Sequence, residues 1–406
     1  MQKAPLERQK DGSSEKLVLS CSICGAPTEV FCDIESVPVC CNILWPTREE
    51  ALSSEHANIH LAFCQACGYI YNAAFDPSRI KYDSNYDNSL HFSERFQEYA
   101  QELAAHLVKR YSLFGKTVIE IGCGSAGFLH LLCAHGRNRG IGFDPSFVQR
   151  RADLKAGESI EIIADLYSES YVDLPFDLLC SRHMLEHVAN PRDMVCMVRR
   201  AIEKNPHAAV YFEVPNVLYT LRQNGVWDLI YEHCSYFAVQ SLRRLFADGG
   251  FHVREVRESF GGQYLGLEAV GSDIGGNGYE PGLGNPAVLA ADVVAFSTGR
   301  TRLINRWKLQ FERISESGKC MIAWGAGSKG TIFLNTLRGH GVVDYVVDIN
   351  PNKQGKFVPG TAQQIVAPET LKELKPDVLI LMNPIYLGEV ERMVSTLGLA
   401  PQILTL

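Results

Sequence analysis

The chain has 406 residues, 46% of them hydrophobic and 21% charged, with 39 Lys and Arg against 46 Asp and Glu for a net charge of -7. That length is too great for one hydrophobic core and calls for two or three domains. The acidic balance argues against a nucleic-acid partner, which selects a basic face, and no apolar run approaches the roughly 18 residues that span a bilayer, so no membrane partner is expected.

The first residues, MQKAPLERQKDGSSEK, are polar and lack an apolar signal core, and they read as a disordered tail on a cytoplasmic protein. The 13 cysteines, an odd number scattered through apparent core segments, suit a reducing compartment better than a disulfide scaffold. Residues 17 to about 80 are turn-rich and cysteine-dense, and they carry two C-x-x-C-G knuckles, Cys21-Ser22-Ile23-Cys24-Gly25 and Cys64-Gln65-Ala66-Cys67-Gly68. Zinc takes four soft ligands at tetrahedral angles, and a tight turn ending in Gly lets two thiolates converge on one ion. Cys21, Cys24, Cys64 and Cys67 are therefore expected to hold a structural Zn2+. A closed site of that kind has no position for water and stabilises a domain too small to rely on its own core. Unlinked thiols, or a redox pair, are the alternative. Cys32, Cys40 and Cys41 lack the knuckle spacing.

From Ser93 the pattern becomes helical, with Phe96, Tyr99, Ala100, Leu103, Leu107 and Val108 at helical spacing. Apolar strands and helices then alternate: TVIEIG, a helix from Gly127, RGIGFD, IEIIAD, FDLLCS, a helix after Pro191, and AAVYFEV. That alternation predicts a parallel sheet covered on both faces. Residues 272–286, SDIGGNGYEPGLGNP, read as a linker. A long helix over about 287–317 leads into a second α/β unit with strands CMIAWG, VDYVVD and DVLILMN.

The first strand runs into Gly122-Cys123-Gly124-Ser125-Ala126-Gly127, a Gly-rich turn that opens a helix, where backbone amides approach a ligand closely. The glycines alone also fit a dinucleotide site. Glu120, two residues before Gly122, makes the pattern E-x-G-x-G, which resembles class I methyltransferases. The resemblance implies that Asp144, at the end of the next strand, chelates the ribose hydroxyls of S-adenosylmethionine (SAM). It also implies that Asp165 meets the adenine amine. The segment Ser181-Arg182-His183-Met184-Leu185-Glu186-His187-Val188 resembles the stretch after the fourth strand of that fold and adds His183 to the cofactor set. An NAD site on the same loop is the alternative.

Past this half lies Tyr231-Glu232-His233-Cys234-Ser235-Tyr236-Phe237, dense in acid-base residues. Here the whole chain resembles the sugar C-methyltransferases that act on nucleotide-linked keto-deoxysugars, whose motif reads Y-H-E-H-x-S-Y-F. Residues 232–237 match its second half; Tyr231 directly precedes Glu232 with no intervening His, which reads as a register one residue short. Methylation at carbon requires an enolate, so His233 is the candidate base, held by Glu232, with Tyr231 or Tyr236 donating to the enolate oxygen. His183 and His187 are second-choice bases, and His187 reads as structural, because L-E-H is widespread in methyltransferases.

A second glycine loop, Gly325-Ala326-Gly327-Ser328-Lys329-Gly330, again follows a strand, and Asp348 ends the next one. Alone it is a dinucleotide fingerprint. The family instead reads G-A-x-x-x-G…L-N and D-x-N-P-x-K-Q-G-x-x-x-P-G here, matched by Gly325…Asn335 and Asp348-Ile349-Asn350-Pro351-Asn352-Lys353-Gln354-Gly355…Gly360. The resemblance implies a domain that closes over the nucleotide-sugar, with Lys329, Asn335 and Lys353 beside the diphosphate.

The expected architecture is α/β: an N-terminal tail and zinc-binding domain over 1–85, a class I methyltransferase Rossmann-like domain over 86–271, and over 272–406 a linker, long helix and second Rossmann-like domain. The expected activity is SAM-dependent C-methylation of a nucleotide-diphosphate keto sugar by a monomer or weak homo-oligomer. O- or N-methylation on the same frame, and an NAD-dependent oxidoreductase, are the alternatives.

Overall fold

The computed structural model describes residues 19–80, 89–147, 159–271 and 286–406. The polar tail and nearly all of the Gly-rich linker lie outside the described residues. The first sheet pairs β1 (Leu19–Ser20), β2 (Pro27–Pro38), β3 (His56–Phe63) and β4 (Ile70–Asn72) antiparallel. Two of its strands are longer than the turn-rich sequence implied, at 12 and 8 residues. The reason is visible in β3, where Ala57, Ile59, Leu61 and Phe63 are buried at every second position, the period of a strand with one covered face.

The central sheet contains β5 (Thr117–Ile121), β6 (Arg139–Phe143), β7 (Ile160–Ile163), β8 (Leu178–Arg182) and β9 (Ala209–Pro215). The chain then leaves it for β10 (Ser235–Tyr236), which pairs with β4 and makes a fifth strand of the first sheet. It returns for β11 (Phe251–Ser259) and β12 (Tyr264–Gly271). The order is β11-β12-β9-β8-β5-β6-β7, with β12 antiparallel to both of its neighbours. Residues 118–121 of β5 are all buried, as a central parallel strand covered on both faces requires. Strand order reverses beside β5, and the crevice at its carboxyl end is where such sheets bind ligands.

The helix Glu94–Arg110 begins where the helical spacing does, and it is capped by Ser93, whose Oγ accepts the amide of Phe96 at 3.3 Å. It buries Phe96, Ala100, Leu103, Ala104, Leu107 and Val108. The helix Pro191–Lys204 starts on proline, whose missing N–H costs nothing in a first turn.

The third sheet comprises β13 (Met321–Trp324), β14 (Tyr345–Val347), β15 (Gln364–Val366), β16 (Val378–Leu381) and β17 (Gln402–Thr405), all parallel in the order β15-β14-β13-β16-β17. The 31-residue helix Pro286–Glu316 precedes it. That helix serves two domains, because Phe296, Trp307 and Phe311 share one core cluster with Ile59 and Leu61 of β3 and with Ile332 and Phe333 of the third domain. Polar ties join the third domain to the central one. Glu389 accepts Ser93 Oγ at 2.7 Å and the Glu94 amide at 3.3 Å, and Gln263 and Asn383 exchange amide hydrogen bonds at 3.2 and 2.9 Å. Among the described residues, no helix is long and apolar enough to cross a membrane.

Candidate active site

The two knuckles converge at the end of the first sheet. Cys21 Sγ lies 3.5 Å from Cys67 Sγ, and Cys24 Sγ lies 3.5 Å from Cys64 Sγ. All four sulfurs fall within 4.8 Å of one another. Each knuckle closes with the glycine amide donating to the first cysteine's carbonyl at 2.8 Å, Gly25 to Cys21 and Gly68 to Cys64. Both glycines have φ near +75° (74° and 76°), a conformation that explains the Gly after each second Cys. Hydrogen bonding from Cys67 pulls the Cys21 thiol down to about 5, against the opposing effect of burial. The donor set is that of a closed tetrahedral site, and the residues fit a zinc ion.

The first glycine loop leaves β5 with Gly122 at φ 73° and Gly124 at φ 54°. A Cβ on Gly122 would stand 2.9 Å from the Met184 side chain, and one on Gly127 would stand 2.9 Å from His91 Nε2. Asp144 is drawn onto the loop: its Oδ2 accepts the Gly124 amide at 2.8 Å, and its Oδ1 accepts the amide and hydroxyl of Ser146. Asp165 is exposed and accepts the Tyr171 hydroxyl at 2.9 Å. Glu120 is buried, and desolvation lifts its carboxyl to about 8 even with the Arg182 guanidinium nearby.

His183 stands at the end of β8 with φ 53°. Its Nε2 is 3.0 Å from Glu213 Oε1, and its Nδ1 is 3.7 Å from Glu186 Oε1. Burial disfavours the imidazolium, but the two carboxylates outweigh it and hold the group at about 9. Glu213 is itself kept near 2, because Arg182 and His183 overcome its desolvation.

A cavity of about 290 Å³ joins the three domains. The central domain contributes His183, Glu186, His187 and Tyr264, the crossing segment contributes Ile230, His233 and Tyr236, and the third domain contributes the second glycine loop from Gly325. His233 therefore lies where a base would act. Its ring meets His187 at 4.8 Å and Tyr236 at 6.1 Å. Burial, reinforced by His187, pushes His233 down to about 3, so the imidazole is neutral at ordinary pH.

The partner expected for His233 is different from the one found. Glu232 is wholly buried, and its Oε1 accepts the Cys41 amide of the N-terminal domain at 3.1 Å. Its carboxylate is engaged by the N-terminal domain, away from the role of holding His233. Burial lifts Glu232 to about 7 despite amide donation from Cys41. The carboxylate beside His233 is Glu186, grouped with His187 and His233 within 4.8 Å. Burial raises the Glu186 carboxyl, but the imidazoles of His183, His187 and His233 pull it below its usual range. Sequence reasoning passed over Glu186 because it sits in the L-E-H stretch common to methyltransferases.

Tyr231 also departs from expectation. Its hydroxyl accepts the Asp76 amide at 2.9 Å and donates to the Ala74 carbonyl at 3.3 Å, outside the cavity lining. Tyr236 lines the cavity, with its hydroxyl given to the Ile230 carbonyl at 3.0 Å. In the third domain, Lys329 lines the cavity but pairs with Asp228 at 2.5 Å. Lys353 is buried and donates to the Ala326 carbonyl at 3.2 Å, with Asp348 Oδ2 at 3.7 Å. Both cations are offset by acids, so the amides of the loop are the less compensated positive groups. Asn335 does not line the cavity; its Nδ2 donates to the carbonyls of Thr331 and Pro359, fastening the helix Ser328–Thr336 to a neighbouring turn.

A model of a methyltransferase domain matches residues 96–256, and a model of a C-methyltransferase C-terminal domain matches residues 296–397. C-methyltransferase NovU of Streptomyces niveus is 24% identical over 314 residues, 72% of this chain and 72% of that protein. A ubiquinone biosynthesis O-methyltransferase of Photobacterium profundum is 27% identical over 114 residues, 26% of this chain and 46% of that enzyme. Magnesium protoporphyrin IX methyltransferase from Synechocystis PCC 6803, solved with bound SAH, covers 44% of this chain and 84% of its own at 18% identity and a TM-score of 0.35. The fold and its matches define a SAM-dependent methyltransferase. With a C-methyltransferase C-terminal domain model matching after the methyltransferase domain model, and NovU similar over 72% of both chains, the chain resembles C-methyltransferases over most of its length.

Two expectations follow. Tyr231→Phe removes both hydroxyl contacts with residues 74 and 76, and should lower stability by about 1–2 kcal/mol while kcat stays within a few-fold of the parent. Urea melts and initial rates check this, and a collapse of kcat at unchanged stability would return Tyr231 to the chemistry. His183 is held at about 9 against an ordinary 6.5, so its contribution to stability is complete below pH 6.5 and lost as pH rises through 9. Urea midpoints of the parent should fall over that interval more than those of His183→Asn.

Proposed function

We propose that the protein transfers the methyl group of SAM to a carbon beside the ketone of a nucleotide-linked keto-deoxysugar. The observation that carries this reading is the shared cavity, lined both by a neutral imidazole, His233, and by the second glycine loop of a different domain. A C–H beside a ketone must lose its proton before the carbon can attack the sulfonium methyl, and a buried imidazole beside a carboxylate supplies a base for that step. The C-methyltransferase name of NovU and of the C-terminal domain model supports carbon as the acceptor.

SAM takes the first loop, with Gly122, Gly124 and Gly127 allowing close approach, Glu120 beneath it, and Asp144, Asp165 and His183 as its polar contacts. The amides from Gly327 to Gly330 hold the diphosphate, and Lys329 and Lys353 fix that loop through Asp228 and Ala326. The proton on the α-carbon passes to a ring nitrogen of His233, and its bonding pair becomes the enolate. The nearby Glu186 carboxylate favours the resulting imidazolium. His183 is the cavity-lining donor for the enolate oxygen, because the Tyr236 hydroxyl proton is already given to the Ile230 carbonyl. The enolate carbon then attacks the sulfonium methyl, the sulfur–methyl bond breaks to leave S-adenosylhomocysteine, and His233 returns its proton to solvent. Cys21, Cys24, Cys64 and Cys67 hold a structural zinc ion, a role supported by their convergence.

Calorimetry with S-adenosylhomocysteine should give about one site per chain, lost in Asp144→Ala. In D2O without SAM, the parent should exchange the proton beside the substrate ketone, and His233→Ala should exchange it roughly 100-fold or more slowly. Product binding without exchange would shift methylation to oxygen or nitrogen; no product binding by folded protein would overturn the cofactor site. Metal analysis should find zinc at one per chain, and Cys64→Ser should lose both the metal and the cooperative melt; a folded, zinc-free parent would refute the thiolate site.

A further inference from the structure

Among the described residues, a second group of metal-donor side chains lies apart from the thiolates. Glu186, His187 and His233 each place one donor atom within 4.8 Å of the other two, and all three line the cavity. They come from two segments, the short turn Leu185–His187 and the crossing segment, which are tied together where the Cys234 amide donates to the Glu186 carbonyl at 2.9 Å.

Two features go beyond proximity. Glu186 is 2% exposed, yet its Oε2 has no hydrogen-bond partner, an arrangement that costs free energy unless something else meets that oxygen. The Nδ1 of His187 lies 3.1 Å from the Glu232 carbonyl. That contact assigns the ring proton to Nδ1 and the lone pair to Nε2, and it is the outer bond that metal-ligating histidines make.

We propose that Glu186, His187 and His233 bind a divalent transition-metal ion of the Zn2+, Co2+ and Ni2+ class. Two imidazoles and one carboxylate suit these ions, whereas Mg2+ and Ca2+ prefer all-oxygen sets. Three protein ligands facing a cavity leave a coordination position open, which distinguishes this site from the closed thiolate one. One consequence rests on the assignment of His233 as base: the ion and the substrate proton take the same lone pair, so the loaded protein cannot abstract the proton.

The test titrates Co2+ into full-length protein whose thiolate site is already filled with zinc, following visible absorption and metal content. One additional equivalent should bind, giving cobalt ligand-field bands without the thiolate-to-cobalt charge-transfer band of a cysteine site. Loss of one ligand should weaken binding at least as much as loss of an outer-shell partner, roughly 10- to 100-fold, in Glu186→Gln and separately in His187→Gln, with zinc content unchanged. Failure to bind a second equivalent, a thiolate band accompanying it, or parent affinity in both variants would overturn the proposal. The readout is metal binding alone, so deuterium exchange beside the ketone in a protein that takes up no second ion sinks this inference and leaves the proposed reaction standing.

Discussion

The structure depends on one stretch of chain, from Val226 to Phe237, that leaves the central domain and is pinned to the other two. Trp227 packs against Phe333 at 5.3 Å, and Asp228 holds Lys329, both in the third domain. Tyr231 and Glu232 receive amides of Asp76 and Cys41 in the first. Ser235 and Tyr236 pair as a strand with Tyr71 and Ile70. The stretch is nearly all buried, so each polar group in it must be paired or pay a desolvation penalty. His233 and Tyr236, the two ring-bearing polar residues it sends into the cavity, stand where three domains agree. Their placement is fixed by contacts spread over the whole chain.

A second constraint lies under the cavity floor. Arg182 and Glu213 are almost fully buried and pair at 2.8 Å. Taking two charges from water is costly, and a pair of this kind stabilises only when its remaining hydrogen bonds are satisfied. Here Tyr99 and Tyr211 both give their hydroxyls to Glu213, and the guanidinium lies 4.2 Å from the Phe128 ring centroid. Through Glu213 the network holds His183 charged, while burial and His187 keep His233 neutral.

Local signals were legible in the sequence because they are set by short-range geometry. The knuckle glycines need positive φ, Ser93 caps a helix with helical apolar spacing, and β5 reads as a strand buried on both faces. Long-range partners were not legible. Nothing near Glu232 says that its carboxylate will be met by an amide 191 residues earlier. Nothing near Lys329 says that Asp228 will neutralise it. Asn335 falls in a matching motif yet bonds Pro359 outside the cavity lining, whereas Lys353 of the same motif lines the cavity and also bonds Ala326. A motif records which residues recur; whether they recur for a ligand or for a turn is settled only when the fold brings their partners up.

Tyr231 and Ile230 also locate the departure from the family motif. A register one residue short would leave Tyr231 in the place of the family's tyrosine, facing the substrate. Instead Tyr231 points into the N-terminal domain, and the residue lining the cavity is Ile230. Read without a gap, Y-H-E-H becomes Ile230-Tyr231-Glu232-His233: an isoleucine replaces the tyrosine and a tyrosine replaces the first histidine. The change is a substitution and not a deletion, so His233 keeps its register while the wall beside it loses a hydroxyl and gains an apolar face. His183, which lines the same cavity, carries a positive charge that the wall at Ile230 does not.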